Sequence, residues 1–372
     1  MGPTHPYKGG IAQHTTELAH RLVAAGVGVE VWSWRRQYPA RLYPGEQRVA
    51  GSRPESPPFP ATTEPLSWDR PVGWFAAGRR ARREGLDAVL LTWTTPVQAP
   101  AYAALLAAYL RRGAETRAIG VCHNVLPHEG SRADRPLARS VLGRCAGLLV
   151  HSASEAEQAR ELAPRARVGI AALPPPALPT GSGAAWDGPT RSLLFFGLVR
   201  PYKGLDVLLK ALAHPDAPRD LRLVVAGEFW TPVAQMRAQV ASLGLQDWVD
   251  LRPGYVAVGD VAGLFAAADA VVLPYRAGTS SIVPDLAHRH GVPVVVTSVG
   301  TLADTVRDGV DGLVVAPEDP AALAGALRRL YTGAELARLR AGVDPPDRDA
   351  LWGDYVEVLL DLLAAPPLAR RR

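Results

Sequence analysis

The stretch "RSLLFFGLVRPYKGLDVLLKAL" (residues 191–212) decides how the rest of the chain is read. An apolar run of strand length leads through a glycine-containing turn into a segment of helical periodicity. Such a run, followed by a crossover helix, is the repeating unit of parallel sheets. Arg200 and Lys203 stand three residues apart in the turn, ahead of a helix expected from about Leu205. Two cations at the positive end of a helix can clamp a diphosphate and neutralise charge on a leaving phosphate. Taken alone, the same turn also fits a solvated surface lysine.

Working outward, strand-like runs recur between helix-period segments. After the opening stretch come "LRLVVAG" (221–227), "ADAVVLPY" (268–275), "VPVVVTS" (292–298) and "GLVVAP" (312–317). Before it come "VGVEVWSW" (27–34), "DAVLLTW" (87–93), "RAIGVCH" (117–123) and "GLLVHS" (147–152). The alternation predicts two doubly wound α/β halves. The Pro/Gly/Ser-rich "ALPPPALPTGSGAAWDGPT" (172–190) separates them. Domains are expected at 1–175 and 191–345, with a linker at 176–190. An amphipathic helix within 346–372 is expected to return to the first domain. The irregular stretch at 43–68 is too long for a plain connection and is read as an acceptor-contacting loop.

The tetrapeptide P-Y-K-G occurs a second time, in "HPYKGGIAQHTTELAHRL" (5–22), and the chain holds only three lysines, Lys8, Lys203 and Lys210. Gly9 and Gly10 again precede a helix and suit a backbone anion cradle. Here almost nothing precedes the turn, since Gly2, Pro3 and Pro6 oppose a strand. The first strand of a doubly wound sheet lies centrally. Its loss predicts a central gap, and a natural chain that starts upstream of Met1.

Bulk properties narrow the classes. At 372 residues, 48% hydrophobic and 21% charged, the chain is globular. Two cysteines, Cys122 and Cys145, fit a reducing compartment. No signal peptide opens the chain, and the longest apolar stretch (99–110) is too short for a bilayer. The chain reads as cytoplasmic. The net charge of +5 is concentrated in "RRARR" (79–83) and the terminal "RRR", with no nucleic-acid motif. These clusters read as a solvated helix face and a frayed tail, or as a peripheral contact to an anionic membrane.

Two further features bear on chemistry. "YRAGTSSIVPDLAHRH" (275–290) places Thr279, Ser280 and Ser281 at a strand-to-helix turn, a second cradle or merely an N-cap. "CHNVLPHEG" (122–130) puts His123 at the C-terminal end of a strand, where crevices open in such sheets. His128 and Glu129 lack metal-ligand spacing and no third ligand is evident, so no metal is expected.

Together "FFGLVRPYKGLDVLLKA", "VVAGEFW", "RPGYV", "FAAADAVVLPY" and "GVPVVVTSVGTLADTV" resemble the donor half of retaining GT-B glycosyltransferases of the "group 1" family. The N-terminal "PYKGGIAQHTTELAHRLVAAG" resembles that family's glycine loop and first helix. The resemblance implies two Rossmann-like domains facing a nucleotide-diphosphate sugar, without cofactor or metal. It implies that Arg200 and Lys203 hold the diphosphate, that Gly9 and Gly10 close over the phosphate and sugar, and that His123 contacts the transferred sugar. Gly197 and Glu228 would line the donor site, Tyr255 would frame the base, and Thr279, Ser280 and Ser281 would sit by phosphates and ribose. The acceptor, a glycan, lipid or small molecule, is left open.

The chain departs from the family where its Glu-x7-Glu pair would fall on Gly278 and Leu286, with Asp285 adjacent. A nucleotide-sugar epimerase would need carboxylates that are scarce here. A degenerate GT-B binder is the remaining alternative.

Overall fold

The computed structural model describes residues 1–39, 47–49, 57–110, 116–127, 130–175, 191–278 and 281–364. The expected linker at 176–190, Thr279, Ser280, His128 and Glu129 lie outside them, as do 43–46 and 50–56 of the expected acceptor loop. The chain divides into two units, Met1–Pro176 with Arg348–Arg372, and Ala177–Asp347.

The first unit runs α1 (Gly10–Ala24), β1 (Val31–Arg36), β2 (Thr62–Ser67), α2 (Pro71–Arg83), β3 (Ala88–Trp93), α3 (Ala99–Tyr109), β4 (Arg117–Cys122), α4 (Asp134–Leu142), β5 (Gly147–Val150), α5 (Ala153–Leu162) and β6 (Arg167–Ile170). Strands β3-β4-β5-β6 form one parallel sheet, and β1-β2 form a separate parallel pair. The end of the irregular stretch is thus strand β2 rather than loop, paired from Val31↔Thr62.

Between β1 and β3 the gap is not open. Residues 1–4 run through it: the Gly2 N–H donates to Trp32 O at 3.2 Å and the Thr92 N–H donates to Met1 O at 2.8 Å. The Met1 amino group donates to Leu90 O at 2.6 Å, and burial pushes its pKa down to about 5. A Cβ on Gly2 would lie 2.3 Å from Thr92 Oγ1, so only a glycine fits this passage. Trp32 and Trp34 of β1 and Leu91 and Trp93 of β3 are fully buried around it, which corrects the expected loss of core.

The second unit runs β7 (Arg191–Phe196), α6 (Leu205–Ala213), β8 (Leu221–Gly227), α7 (Val233–Ser242), β9 (Val249–Pro253), α8 (Val258–Ala266), β10 (Ala270–Leu273), α9 (Val283–Arg289), β11 (Val294–Thr297), β12 (Gly312–Val315), α10 (Pro320–Leu330) and α11 (Glu335–Gly342). Its six parallel strands lie in the order β12-β11-β10-β7-β8-β9. Apolar clusters cover both faces, with α6 and α10 on one and α8 and α9 on the other. The order reverses between β7 and β10, the switch point where such sheets open a crevice beyond the carboxyl ends of their strands.

The last helix, α12 (Arg348–Ala364), belongs to the first unit. Its Trp352, Tyr355, Leu359 and Leu362 are buried with Leu18 and Leu22 of α1 and Ile119 and Leu149 of the sheet. Each large apolar side chain so buried contributes roughly 1.5–3 kcal/mol. Gly169 lets Val358 approach: a Cβ there would lie 2.5 Å from Val358 Cγ1. Arg348 ties the helix entrance to Glu17 of α1 at 2.9 Å.

Candidate functional site

At the switch point of the second unit, two strand-to-helix loops touch backbone to backbone. A Cβ on Gly227, the last residue of β8, would lie 1.8 Å from Gly197 O, just after β7. The loops are then zipped by Val199, whose N–H donates to Glu228 O at 2.8 Å and whose carbonyl accepts from Trp230 N at 3.0 Å. This places Arg200 and Trp230 together, with the guanidinium 4.7 Å from the indole centroid and 5.6 Å from that of Tyr202. Contact with the two rings helps hold the guanidinium in place.

One turn on, Pro201–Lys203 forms a short 3-10 turn and Gly204 enters α6 with φ 69°. A Cβ on Gly204 would lie 1.9 Å from Pro274 O, so the loop after β7 is pressed onto the end of β10. Lys203 is folded inward and only 8% exposed, its Nζ 5.0 Å from the Tyr275 ring centroid. Its Nζ also lies 3.4 Å from where a Cβ on Gly197 would stand, so the ammonium faces the Gly197 backbone. Burial opposes its charge and Arg200 adds repulsion, but Tyr275 and Tyr202 outweigh both, raising its pKa above the ordinary value. The lysine is a buried cation at neutral pH.

Around this pair, Tyr275 Oη and Ser281 Oγ are 3.5 Å apart, and the Tyr275 carbonyl accepts from Thr297 Oγ1 at 2.6 Å. Arg276 is spent on structure, paired at 2.6 Å through two nitrogens with Asp206 and at 3.0 Å with Glu318. Tyr255 lies instead on the wall of a 780 Å³ cavity between α8 and strands β7–β9, which neither Arg200 nor Lys203 lines. That cavity is apolar along its floor and rimmed by Arg222 and Arg252, both paired with Asp250.

Of the two positions left by the missing carboxylates, Gly278 takes a positive φ of 156° and Leu286 is buried in the core. Asp285 on α9 is half-buried, and burial pushes its carboxyl up to about 6.

The first unit carries a different constellation. The Gly9–Gly10 turn opens α1, with Gly9 at φ 88° and Gly9 O accepting from Ala12 N at 3.1 Å. His123 follows β4, its N–H extending the ladder to Trp93 O at 2.9 Å. Two histidines that the sequence reading passed over surround it. His14 of α1 meets the His123 ring edge-on at 4.9 Å between centroids, and His151, after β5, lies 5.5 Å from it. Trp352 and Tyr355 of α12 close the cluster, 5.0 Å from His14.

Burial holds all three rings neutral. His123 is pushed down to about 3 and His151 to about 4, and His14 is lowered well below its ordinary value by burial first and then by its two neighbours. His151 Nδ1 donates to Ala171 O at 3.2 Å, which leaves its Nε2 as an acceptor. The Nε2 atoms of all three are buried and make no hydrogen bond among the described residues. The visible signal for His151 was its place one residue past a strand, the same place as His123. Among the described residues, no group of three or more His, Cys, Asp or Glu side chains is arranged to hold a metal.

Two Rossmann-like units with parallel sheets define the GT-B architecture, and solved structures agree on the fold. Sucrose-phosphate synthase from Thermosynechococcus elongatus superposes with a TM-score of 0.73 at 18% identity, covering 98% of each chain. An Anabaena protein solved in complex with UDP superposes at 0.67 and 16% identity, covering 97% of this chain and 98% of that one. In sequence, residues 8–174 match the family described as Glycosyltransferase Family 4, and residues 190–333 match Glycosyl transferases group 1. Both models describe glycosyltransferases, one matching each half of the chain.

Among curated proteins, D-inositol 3-phosphate glycosyltransferase 1 of Catenulispora acidiphila is 36% identical over 178 residues, 45% of this chain and 42% of that protein. The Frankia alni D-inositol 3-phosphate glycosyltransferase is 40% identical over 147 residues, 37% of this chain and 36% of that protein. The chain thus matches less than half the length of either relative.

Proposed function

We propose that this chain transfers a sugar from a nucleotide-diphosphate donor to a hydroxyl acceptor with retention of anomeric configuration. The observation that carries the proposal is Lys203, a buried cation set beside Arg200 at the switch point of the second unit. An ammonium and a guanidinium three residues apart on one turn are the paired charges that an anion with several oxygens can bridge. A diphosphate supplies that anion. As the bond from the anomeric carbon to the diphosphate oxygen breaks, the electron pair leaves with the diphosphate, and Arg200 and Lys203 take up the charge. The acceptor oxygen bonds the anomeric carbon from the same face and gives up its proton to the departing phosphate. The two side chains do the electrostatic work for which other phosphate enzymes use a metal. His123, held neutral, is assigned to a sugar hydroxyl. The complex of the Anabaena structure favours a nucleotide diphosphate as the product bound.

A second reading, a GT-B protein that binds nucleotide without turnover, is favoured by Leu286, which puts an apolar core residue where the family's second carboxylate would stand. Thermal stabilisation by UDP, GDP, ADP and dTDP, with wild type and Lys203→Ala, tests the site. One nucleotide should stabilise by about 2.7 kcal/mol at a hundredfold excess over its Kd, and Lys203→Ala should abolish the shift. Stabilisation without release of that nucleotide from its sugar donors would select the second reading; no stabilisation by any would remove both.

A further inference from the structure

Helix α2 turns part of its apolar surface outward. Its inward face carries Ala77, Gly78 and Ala81, all buried. Gly78 sits so close to α3 that a Cβ would lie 2.2 Å from Leu105 O. Trp74 packs back on the core and donates from Nε1 to Ser67 O at 2.7 Å, but the helix's other two large apolar side chains point the other way. Val72 is 78% exposed and Phe75 is 44% exposed, with Trp68 just before the helix at 40%. These are three of only seven large hydrophobic residues exposed among the described residues. An amphipathic helix that serves only its own core has the opposite arrangement.

At 100° per residue, Val72, Phe75, Ala76, Arg79 and Arg83 fall on one stripe about 16 Å long, and all five are exposed. The stripe is apolar in its first half and basic in its second. Arg36 and Arg70 flank it near the apolar end, although Arg36 is paired with Asp69. Arg80 is drawn aside, over the Trp32 ring at 4.6 Å and paired with Glu84 at 2.7 Å. Beside the apolar end lies a 510 Å³ hollow whose wall carries Arg35 and Arg70 together with Glu64 and Asp69, beside Val72 and Gly73. Among the described residues, no helix is long and apolar enough to cross a membrane.

We infer that this face of α2 docks on an anionic lipid bilayer. Trp68, Val72 and Phe75 enter the interface below the headgroups, while Arg79 and Arg83 stay at the level of the phosphates. The complementarity is twofold: exposed aromatic and aliphatic side chains match the acyl boundary, and uncompensated arginines match anionic headgroups. A protein partner would equally bury the apolar half, but the segregation of apolar and basic halves along one helix axis fits a layered surface better. The inference does not depend on transferase activity.

Flotation of the full chain with vesicles tests it, comparing phosphatidylglycerol mixed into phosphatidylcholine with phosphatidylcholine alone. The protein should float with the anionic vesicles, weakly or not at all with the neutral ones, and lose binding at high salt. Arg79→Gln with Arg83→Gln should weaken binding about thirtyfold. Val72→Ser with Phe75→Ser should weaken it about tenfold. All four positions are exposed, so near-UV circular dichroism and Tm should not change, and Arg237→Gln, exposed in the second unit, serves as the charge control. No flotation with anionic vesicles would overturn the inference. So would flotation unaffected by Val72→Ser with Phe75→Ser, because it would show attraction by charge alone, or an equal loss with Arg237→Gln.

Discussion

The two P-Y-K-G turns share four residues and a positive-φ glycine that leads into a helix, but bury opposite side chains. In Pro201-Tyr202-Lys203-Gly204 the lysine is buried and the tyrosine half-exposed. In Pro6-Tyr7-Lys8-Gly9 the tyrosine is buried and the lysine half-exposed. What precedes each turn accounts for the inversion. A full strand, β7, delivers the second turn onto the end of β10, where Tyr275 receives the lysine. The first turn follows a short passage threaded between β1 and β3. Its tyrosine fills the core there, bridged to Arg48, whose guanidinium lies 4.9 Å from the ring centroid. An identical tetrapeptide therefore carries its chemistry in one place and its packing in the other.

Substitution should break that symmetry most sharply at the glycines. Gly204→Ala combines a left-handed backbone with a collision against Pro274 O, and we expect a loss of at least about 3 kcal/mol in urea unfolding. Gly9 has the same sign of φ but no atom within 4 Å of an added Cβ, so Gly9→Ala should cost only about 1 kcal/mol. Equal costs would mean that the close approach at Pro274 is relieved by small shifts.

The tyrosines should differ next. Tyr7→Ala removes a buried ring and should cost about 3 kcal/mol, whereas Tyr202→Ala should cost about 1 kcal/mol in the same measurement. A larger loss at Tyr202 would reverse the assignment of packing to the first turn and chemistry to the second.

Acid gives the smallest and most selective contrast. The three histidines of the first unit have folded pKa values below the unfolded value of about 6.5. The unfolded chain then binds more protons, so their contribution is intact above that value and falls as pH drops towards the folded values. Relative to pH 7, His151→Gln should spare about 1 kcal/mol of the loss that wild type suffers by about pH 5.5. Lys203, with its pKa raised, contributes no change in this window. Parallel Tm-against-pH curves for wild type and His151→Gln would exclude a neutral, buried His151.

The parts of this fold that were legible in the sequence are those buried on both faces. Runs such as "RSLLFFG" and "RAIGVCH" became β7 and β4 because central parallel strands must be apolar throughout. Three strands escaped notice, β2, β6 and β9, and all three are sheet edges. "TTEPLS", "RVGI" and "VDLRP" carry polar or exposed residues because one margin faces solvent, so no apolar run announces them. The switch-point pair Arg200 and Lys203 could be singled out because charge beside a strand-ending glycine is unusual. The histidine cluster could not, since His14, His123 and His151 come from three elements that only the tertiary fold brings together. The orientation of α2 was equally hidden: "RRARR" alone reads as a solvated face, and only the burial of Ala77, Gly78 and Ala81 reveals which side chains are turned outward.

The place of α12 has a consequence in time. The ribosome makes the sheet of the first unit early, yet the helix that covers Ile119, Leu149 and Gly169 is encoded after the entire second unit. While the second unit is being synthesised and folds, one apolar face of the first stays bare, open to chaperones or to other nascent chains. The half that begins synthesis first is therefore the half that finishes folding last.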